Sequence, residues 1–247
     1  MNETIPTKDA LRIVVLIPAH NEESTVGSVV TDVRHHVNYP IVVIDDCSTD
    51  ATRTVAQAAG ATVLPLADQL GAWGATQTGI RYALRQGFDI VLTLDADGQH
   101  EPRWLPVLLA PLMNGHADVT IGGYTERGSF MRRIAWALMK WTSGLRQHDV
   151  TSGFRAYNRA AATVLSQWQA TVLDYQDVGV LMLLESQGLE IHDVPVTMLE
   201  RQAGASKVFY SWLMVVYYMI HTLLLGLIKR PLRPKGNSPR NSCGQAQ

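Results

Sequence analysis

Cysteine is scarce in this 247-residue chain, and neither sign of charge dominates it. The two cysteines, Cys47 and Cys243, lie far apart in unlike contexts, so we expect a reducing compartment rather than a disulfide framework. With 21 basic and 22 acidic side chains, the formal net charge of -1 gives no indication of nucleic-acid binding. The first residues, MNETIPTKDALR, have no basic stretch followed by an apolar run, so no signal peptide is predicted.

Several motifs that carry chemistry are also absent from the sequence. It has no G-x-S-x-G elbow and no zinc-type cluster of ligands, which makes a nucleophilic hydrolase or a zinc site a poor interpretation. It also lacks G-x-G-x-x-G after the first apolar run, where PAHNEE stands instead, and any G-x-x-x-x-G-K-[ST] loop. If this protein binds a diphosphate, we expect the phosphates to be bound by residues other than those of a glycine-rich loop.

The first half of the chain alternates strand and helix signals, which predicts an α/β fold with a doubly wound, mostly parallel sheet. The second half has weaker periodicity, with two further strands. The predicted strands are 13–17, 41–44, 62–66, 90–94, 119–122 and 191–196, and the predicted helices are 24–35, 50–59 and 74–85. In such sheets ligands bind beyond the carboxyl ends of the strands. These ends carry the polar stretches PAHNEE, DDCSTD and DADGQH.

The stretch IVLTLDADGQHEP places two carboxylates, Asp95 and Asp97, one residue apart at the end of a buried strand. A period of two puts both on one side if the chain stays extended, and like charges so close repel. A shared proton, a neighbouring Arg or Lys, or a divalent cation would offset that repulsion. A cation held by one or two carboxylates and by substrate phosphates is a common solution, while Asp45 can accept hydrogen bonds from a base or ribose.

Residues 208–228, VFYSWLMVVYYMIHTLLLGLI, contain no charged side chain and are long enough to cross a bilayer. Residues 229–247 form a basic tail rich in Pro, Gly, Ser and Asn, predicted to be disordered. A single span would place this tail on the side opposite to a cytoplasmic main domain, against the positive-inside tendency. We therefore favour an interfacial or re-entrant helix on a lipid surface, with a transmembrane or buried core helix as alternatives.

Five stretches in this order, IPAHNEE, VIDDCSTDAT, LTLDADGQHEP, HDVTSGFRAYNRAA and VPVTMLERQAGASK, resemble family 2 of the inverting glycosyltransferases, specifically its dolichol- or polyprenol-phosphate mannose synthase branch. The resemblance implies a GT-A (Rossmann-like) fold, a nucleotide-diphosphate sugar donor, Mg²⁺ or Mn²⁺, and a polyprenyl phosphate acceptor at a membrane surface. It divides the chain into an extension at 1–11, a catalytic domain at 12–207, the apolar helix at 208–228 and the tail.

The same resemblance assigns roles by position. The base and ribose pocket would be lined by Pro18, His20, Glu22, Asp45 and Asp46. The metal and diphosphate would be held by Asp95, Asp97 and Gln99. The loop over the donor and lipid phosphates would contain Arg201, Ser206 and Lys207, and the acceptor phosphate would meet Arg132 or Arg133. These two arginines would equally suit a basic helix face against anionic lipid.

Two departures from the family pattern bear on substrate. GGYTERG replaces the usual G-S-R strand end, which leaves Arg127 as the candidate to supply the missing guanidinium. Gln176-Asp177 resembles a pair found in family 2 enzymes with hydroxyl acceptors. The expected activity is a metal-dependent, inverting transfer of a hexose to a polyprenyl phosphate at the cytoplasmic membrane face. The alternative is transfer to a hydroxyl of a lipid-linked or cell-surface glycan, with Asp177 as base. A catalytically inactive membrane scaffold is a third, weaker interpretation.

Overall fold

The computed structural model of this protein describes residues 11–123, 152–173 and 178–199. Within them the chain forms a seven-stranded sheet with the strand order β3-β2-β1-β4-β6-β5-β7. The strands are β1 Ile13–Ala19, β2 Ile41–Asp45, β3 Thr62–Pro65, β4 Ile90–Thr93, β5 Val119–Gly123, β6 Arg155–Asn158 and β7 Ile191–Pro195. Only β6 runs antiparallel to its neighbours, so the predicted mostly parallel α/β sheet is confirmed.

Helices pack on both faces of this sheet. They are α1 Val26–His36, α2 Thr52–Ala58, α3 Gly71–Arg85, α4 Leu105–Met113, α5 Arg159–Leu165, α6 Trp168–Thr171 and α7 Val178–Ser186, with a 3₁₀ turn at Pro102–Trp104. Alternation along β1 sends Val15 and Ile17 to the core shared with α1 and α4, and Val14 and Leu16 to the core shared with α3, α5 and α7. The sheet is therefore apolar on both faces, as expected for parallel strands covered by helices.

The predicted elements of the first half match the structure to within a few residues, whereas the sequence did not predict β6. That strand is four residues long and begins with Arg155, so it lacks the apolar run by which the parallel strands were identified. It lies between β4 and β5, with Arg155 opposite both Thr93 and Ile121. Because β6 is antiparallel, its first residue lies at the same edge as the carboxyl ends of the other strands.

Several predictions fall outside the described residues. They concern the extension at 1–10, Arg127, Arg132, Arg133, Asp177, Arg201, Ser206, Lys207, the apolar segment 208–228 and the tail. No helix in the part of the chain that the structure describes is long and apolar enough to cross a membrane. The membrane-associated helix consequently remains a prediction.

The chain reverses its winding direction between β1 and β4. Strands β2 and β3 lie on one side of β1, and β4 lies on the other, which makes the gap beyond the carboxyl ends of β1 and β4 a topological switch point. Crevices at such points are where open α/β sheets bind ligands. The loops after β1, β2 and β4 all open onto this edge.

Candidate active site

The loops that follow β1 and β2 are tied together by hydrogen bonds. The Asn21 backbone nitrogen donates to Ser48 Oγ at 3.0 Å, and the Thr49 backbone nitrogen donates to Asn21 Oδ1 at 2.8 Å. The Glu22 nitrogen donates to Thr52 Oγ1 at 2.8 Å. Asn21 adopts a left-handed backbone with φ of 52°, which its short polar side chain tolerates. This network fixes the polar turn in which two residues predicted to bind the sugar donor, His20 and Glu22, lie.

His20 is half-buried and held on both ring nitrogens. Its Nδ1 lies 2.7 Å from the Asp46 carbonyl oxygen, and its Nε2 lies 3.2 Å from Asn21 Nδ2. A carbonyl only accepts, so Nδ1 donates to it, and Nε2 accepts from the Asn21 amide. The ring is thereby oriented at the edge where the resemblance places a nucleotide base.

Asp45 ends β2 and is 1% exposed. Its Oδ1 accepts from the Ser48 amide at 3.1 Å, and its Oδ2 accepts from Arg53 Nε at 3.1 Å. Arg53 NH2 lies 3.1 Å from the same oxygen, which completes an ion pair. Burial of this carboxylate is thus offset by a guanidinium from the start of α2 and by a backbone donor from the loop that precedes this helix.

Asp46 connects the β2 end to the start of α3. Its Oδ1 accepts from the Leu70 nitrogen at 2.7 Å, and its Oδ2 accepts from the Gly71 nitrogen at 2.9 Å. Gly71 has φ of +77°, a conformation that glycine adopts without steric cost. Asp46 therefore orders the loop after β3, which lies beside the predicted base pocket.

Asp50 has a pKa that departs clearly from the ordinary value of its side chain. Burial of its carboxyl raises the pKa, but hydrogen bonds donated by the Thr52 hydroxyl, the Thr52 nitrogen and the Glu23 nitrogen outweigh that effect. The net pKa of Asp50 is lowered from its ordinary value. Asp50 stays ionised at neutral pH and helps to hold the first two loops together.

Asp95 and Asp97 follow β4, and the chain between them does not stay extended. The strand ends at Thr93, and a turn follows with Gly98 at φ of +76°. The Asp97 carboxylate closes this turn by accepting from the Gln99 nitrogen at 3.1 Å. The side chain of Asp95 is 47% exposed, whereas Asp97 as a residue is 8% exposed. One carboxylate therefore faces solvent and the other is mostly enclosed.

His100 and Gly153 flank the Asp95 carboxylate. His100 is buried, and its ring stacks on Phe154 with centroids 5.1 Å apart. A Cβ added to Gly153 would lie 2.6 Å from Asp95 Oδ1, so no other residue fits there without displacing the carboxylate. The sequence motif DVTSGF thus delivers a glycine and an aromatic ring to the β4 end.

The side-chain oxygen atoms that follow β4 are of the kind that bind a hard divalent cation. Mg²⁺ and Mn²⁺ prefer oxygen ligands, and Mg²⁺ is commonly held by one or two carboxylates together with water and substrate phosphates. Asp95, Asp97 and the amide oxygen of Gln99 supply such a set on a loop of five residues. No group of three or more His, Cys, Asp or Glu side chains able to hold a metal occurs in the described residues. The candidate ligands are two carboxylates and one amide oxygen.

The described part of the predicted site gathers at one edge of the sheet. Pro18 lies in β1 opposite Ile44 of β2, and Glu22 precedes α1, where its carbonyl accepts from the Thr25 and Val26 nitrogens. The residues that the structure places at this edge are Pro18, His20, Glu22, Asp45, Asp46, Asp95, Asp97 and Gln99. Their contacts with a substrate stay a prediction.

The sequence did not predict several residues that hold the aspartates of this edge in place, because none of them lies in a recognisable motif. Arg53, eight positions after Asp45, is the ion-pair partner of that carboxylate. Gly71 opens α3 in the stretch QLGAWG and donates to Asp46. Gly153 leaves room for Asp95. The glycines after β3 and before β6 were the available signals, because glycine often marks a close approach of backbone to another group.

The family model described as "Glycosyl transferase family 2" matches residues 14–165, which cover the sheet from β1 to the end of α5. This protein belongs to glycosyltransferase family 2. The resemblance inferred from the five motifs is thereby confirmed, and the chain is a glycosyltransferase. The matched region contains all the described site residues.

Curated relatives of this family 2 protein transfer sugars to lipid phosphates according to their names. An undecaprenyl-phosphate mannosyltransferase from Micrococcus luteus is 31% identical over 215 residues, covering 80% of this chain and 87% of the relative. A polyprenol monophosphomannose synthase from Mycolicibacterium smegmatis is 29% identical over 217 residues, covering 79% of this chain and 80% of the relative.

Solved structures share the fold. A glucosyl-3-phosphoglycerate synthase from Mycobacterium tuberculosis, in complex with Mn²⁺, UDP-glucose and phosphoglyceric acid, superposes with a TM-score of 0.66 at 24% identity. The similarity covers 92% of this chain and 82% of that one. The GT-A-like arrangement of the sheet and helices is thus shown across the catalytic region.

Proposed function

We propose that this glycosyltransferase moves a hexose from a nucleotide-diphosphate sugar to a polyprenyl phosphate, with inversion at the anomeric carbon and with a divalent cation. The reaction would take place at the cytoplasmic face of a membrane. The names of the two curated relatives support a lipid phosphate acceptor and favour mannose among the sugars. The Mn²⁺ and UDP-glucose in the mycobacterial structure support a metal-assisted nucleotide sugar donor.

The observation that carries the proposal is the placement of Asp95 and Asp97 at the switch point of the sheet. Asp95 is half-exposed, and both carboxylates lie at the same edge as His20 and the loops after β1 and β2. A diphosphate brings negative charge to an edge that already carries several carboxylates. A divalent cation between the two sets of oxygens removes that conflict.

The chemistry is a displacement in which a phosphate oxygen of the acceptor forms a bond to the anomeric carbon and the bond to the diphosphate oxygen breaks. The acceptor phosphate is ionised at neutral pH, so it needs positioning rather than a general base. When bound, the cation stabilises negative charge growing on the leaving nucleoside diphosphate. Asp95 and Asp97 would hold the cation, and the turn closed by Gln99 and Asp97 keeps the two residues in place.

The first experiment presents the full-length protein with undecaprenyl phosphate in detergent micelles, Mn²⁺, and GDP-mannose, UDP-glucose or UDP-N-acetylglucosamine labelled in the sugar. Label in the organic phase is counted with and without EDTA. Asp97→Ala serves as the inactive control, and Asp32→Asn, which changes an exposed aspartate on α1, serves as the matched neutral control. We expect Mn²⁺-dependent label in lipid, abolished by Asp97→Ala and retained by Asp32→Asn.

The outcome separates the proposed acceptor from its alternative. Lipid label from one donor establishes the acceptor class and identifies the sugar. Metal-dependent donor binding without lipid label contradicts the lipid phosphate acceptor and directs the search to hydroxyl acceptors, for which Asp177 is the predicted base. Label that persists in EDTA contradicts the metal dependence.

A further inference from the structure

His100 is buried next to the Asp95 carboxylate. An apolar side chain could fill the same space, so packing alone does not explain a histidine at this position. Its backbone pairs with Met198, and the neighbouring Gln99 carbonyl accepts from the Leu199 nitrogen at 2.9 Å. Its ring stacks on Phe154 at an interplanar angle of 14°. The ring is thus fixed from both the backbone and the aromatic side, and a phenyl group would satisfy both contacts.

Both ring nitrogens of His100 lie near atoms of Asp95. Nδ1 accepts a hydrogen bond from the Asp95 backbone nitrogen at 3.0 Å. Because an accepting nitrogen carries no proton, the neutral ring has its proton on Nε2. Nε2 lies 3.8 Å from Asp95 Oδ2, which is beyond hydrogen-bond distance but close enough for the ring to contribute to the electrostatic environment of the carboxylate.

Gly153 confines the same carboxylate from another direction. A Cβ atom built at Gly153 would lie 2.6 Å from Asp95 Oδ1 and 3.0 Å from Asp95 Oδ2, so the carboxylate occupies the space that a side chain would need. The carboxylate therefore contacts the Gly153 backbone and lies near the His100 ring, while 47% of the side chain stays exposed to solvent. A carboxylate that is confined in this way and still exposed to solvent can serve as an anionic metal ligand.

We propose that His100 is a positioning residue that holds Asp95, by its main chain and by its carboxylate, in the orientation that receives a divalent cation with the donor diphosphate. This inference rests on the proposed metal-dependent function. Groups that orient a ligating side chain in this way commonly change metal affinity by about 10-fold to 100-fold when removed. The effect expected of His100 is on metal binding first and on stability second.

The decisive variant is His100→Phe, which retains a ring to stack on Phe154 but removes both nitrogens. Phe154→Leu is the matched control, because it removes the stacking partner and leaves the nitrogens of His100 in place. Mn²⁺ binding is measured on full-length protein with UDP present, by electron paramagnetic resonance of free Mn²⁺, and the unfolding temperature is measured without metal. We expect the Mn²⁺ Kd to rise about tenfold in His100→Phe. In Phe154→Leu the unfolding temperature falls while the Mn²⁺ Kd stays unchanged within the error of the measurement, consistent with a packing role alone.

A second variant keeps the inference testable if His100→Phe does not fold. His100→Asn retains an acceptor for the Asp95 nitrogen but has no group near Oδ2, and we expect it to weaken Mn²⁺ binding by about threefold, less than the loss of both nitrogens. Steady-state kinetics provide a further readout, because a positioning role raises the KM for Mn²⁺ more than it lowers kcat at saturating metal.

The outcomes distinguish this inference from the proposed function. Wild-type Mn²⁺ affinity in folded His100→Phe, or in folded His100→Asn when the former does not fold, would overturn the positioning role and leave the metal-dependent transferase standing. An equal loss of Mn²⁺ affinity in Phe154→Leu would also overturn it, since packing alone would then explain the effect. Absence of Mn²⁺ binding by the wild type with UDP would overturn the metal dependence itself, and the inference with it.

Discussion

Two pairs of aspartates lie at the same edge of the sheet, and the protein uses them differently. Asp45 and Asp46 at the end of β2 have all four carboxylate oxygens engaged by Ser48, Arg53, Leu70 and Gly71. Asp95 after β4 has a side chain that is 47% exposed. The residue type and the strand end are the same in both pairs. The first pair shapes loops, and the second is proposed to hold a cation, with Asp95 exposed and Asp97 mostly enclosed.

This difference shows that a carboxylate at the carboxyl edge of a sheet is not by itself a ligand. Asp45 accepts from a backbone donor in the loop after β2, and Asp46 accepts from backbone donors that would otherwise be left unpaired at the start of α3. A contact with the donor's base or ribose would have to be shared with those bonds, which carboxylate oxygens permit because each accepts more than one. The β2 pair is therefore expected to matter for stability, and the β4 pair for turnover.

Substitution of Asp97 gives the largest expected effect and the sharpest form of the comparison. Asp97→Asn retains the size of the side chain and an oxygen for the Gln99 nitrogen, but it removes the charge that would face the cation. We expect kcat to fall about 10²-fold to 10³-fold, as when a group that stabilises transition-state charge is removed. Lipid labelling at saturating donor measures it, with the unfolding temperature as the test of folding. Turnover near that of Asp32→Asn would break the proposed division of roles.

Asp46→Asn tests the other side of the comparison. The substitution places an amide NH₂ against one of two backbone donors, Leu70 or Gly71, and leaves that donor without a charged acceptor. We expect the free energy of unfolding to fall by about 2 kcal/mol, as measured by urea denaturation. An unchanged stability together with lost donor binding would show that Asp46 acts on the ligand directly rather than through the loop.

Gly153→Ala probes how closely the Asp95 carboxylate is confined. The new Cβ would lie 2.6 Å from Oδ1, so the carboxylate must rotate or the loop must shift. We expect Mn²⁺ affinity in the presence of UDP to weaken about tenfold, in the range found when groups around a metal ligand are changed. Calorimetric titration checks this result. Unchanged affinity would mean that Asp95 tolerates reorientation, which would weaken the contrast between a positioned β4 pair and a structural β2 pair.

The sequence was sufficient to predict the sheet but not the internal partners of its charges. Apolar residues identified β1 to β5 and β7. Of these, β1, β2, β4 and β5 are buried between helices, whereas β3 and β7 are the edge strands and are partly exposed. Strand β6 was not predicted, because its four residues begin with Arg155 and contain no run of apolar side chains. The polar ends of β1, β2 and β4 were correctly placed at one edge, since that follows from parallel topology alone.

The division between Asp45 and Asp95 could not be predicted in the same way. It depends on Arg53, Leu70 and Gly71 for the first pair and on His100 and Gly153 for the second, and these contacts are set by loop geometry. The pairing of Asp95 with Gly153 joins positions 58 residues apart in sequence. Periodicity gives no information about such contacts, because they form only after the loops have closed.

Cys47 offers a smaller test, within the β2 loop. It has φ of +58°, in the left-handed region that costs a residue with a Cβ about 1–2 kcal/mol. Cys47→Gly relieves that strain but adds freedom to the unfolded chain, so we expect a net gain in stability of at most about 1 kcal/mol. Urea denaturation measures it, with Cys243→Ser as the control for thiol loss. A loss of stability would show that the Cys47 thiol, 3.7 Å from the Ala67 carbonyl, contributes more than its backbone strain costs.

The smallest expected effect is the contribution of Asp50 to stability as a function of pH. Its folded pKa lies below the ordinary value of 3.8, because hydrogen bonds from Thr52 and Glu23 favour the ionised form. A lowered folded pKa means that the stabilisation is fully present above the unfolded pKa and is lost as the pH falls through the folded one. The difference in unfolding free energy between wild type and Asp50→Asn should therefore be constant above about pH 5. It should shrink below 3.8 and stay under about 1 kcal/mol, since the carboxyl is partly solvated. A difference that instead grows as the pH falls would reverse the sign, and would remove Asp50 from the set of ionised aspartates that hold the β1 and β2 loops together.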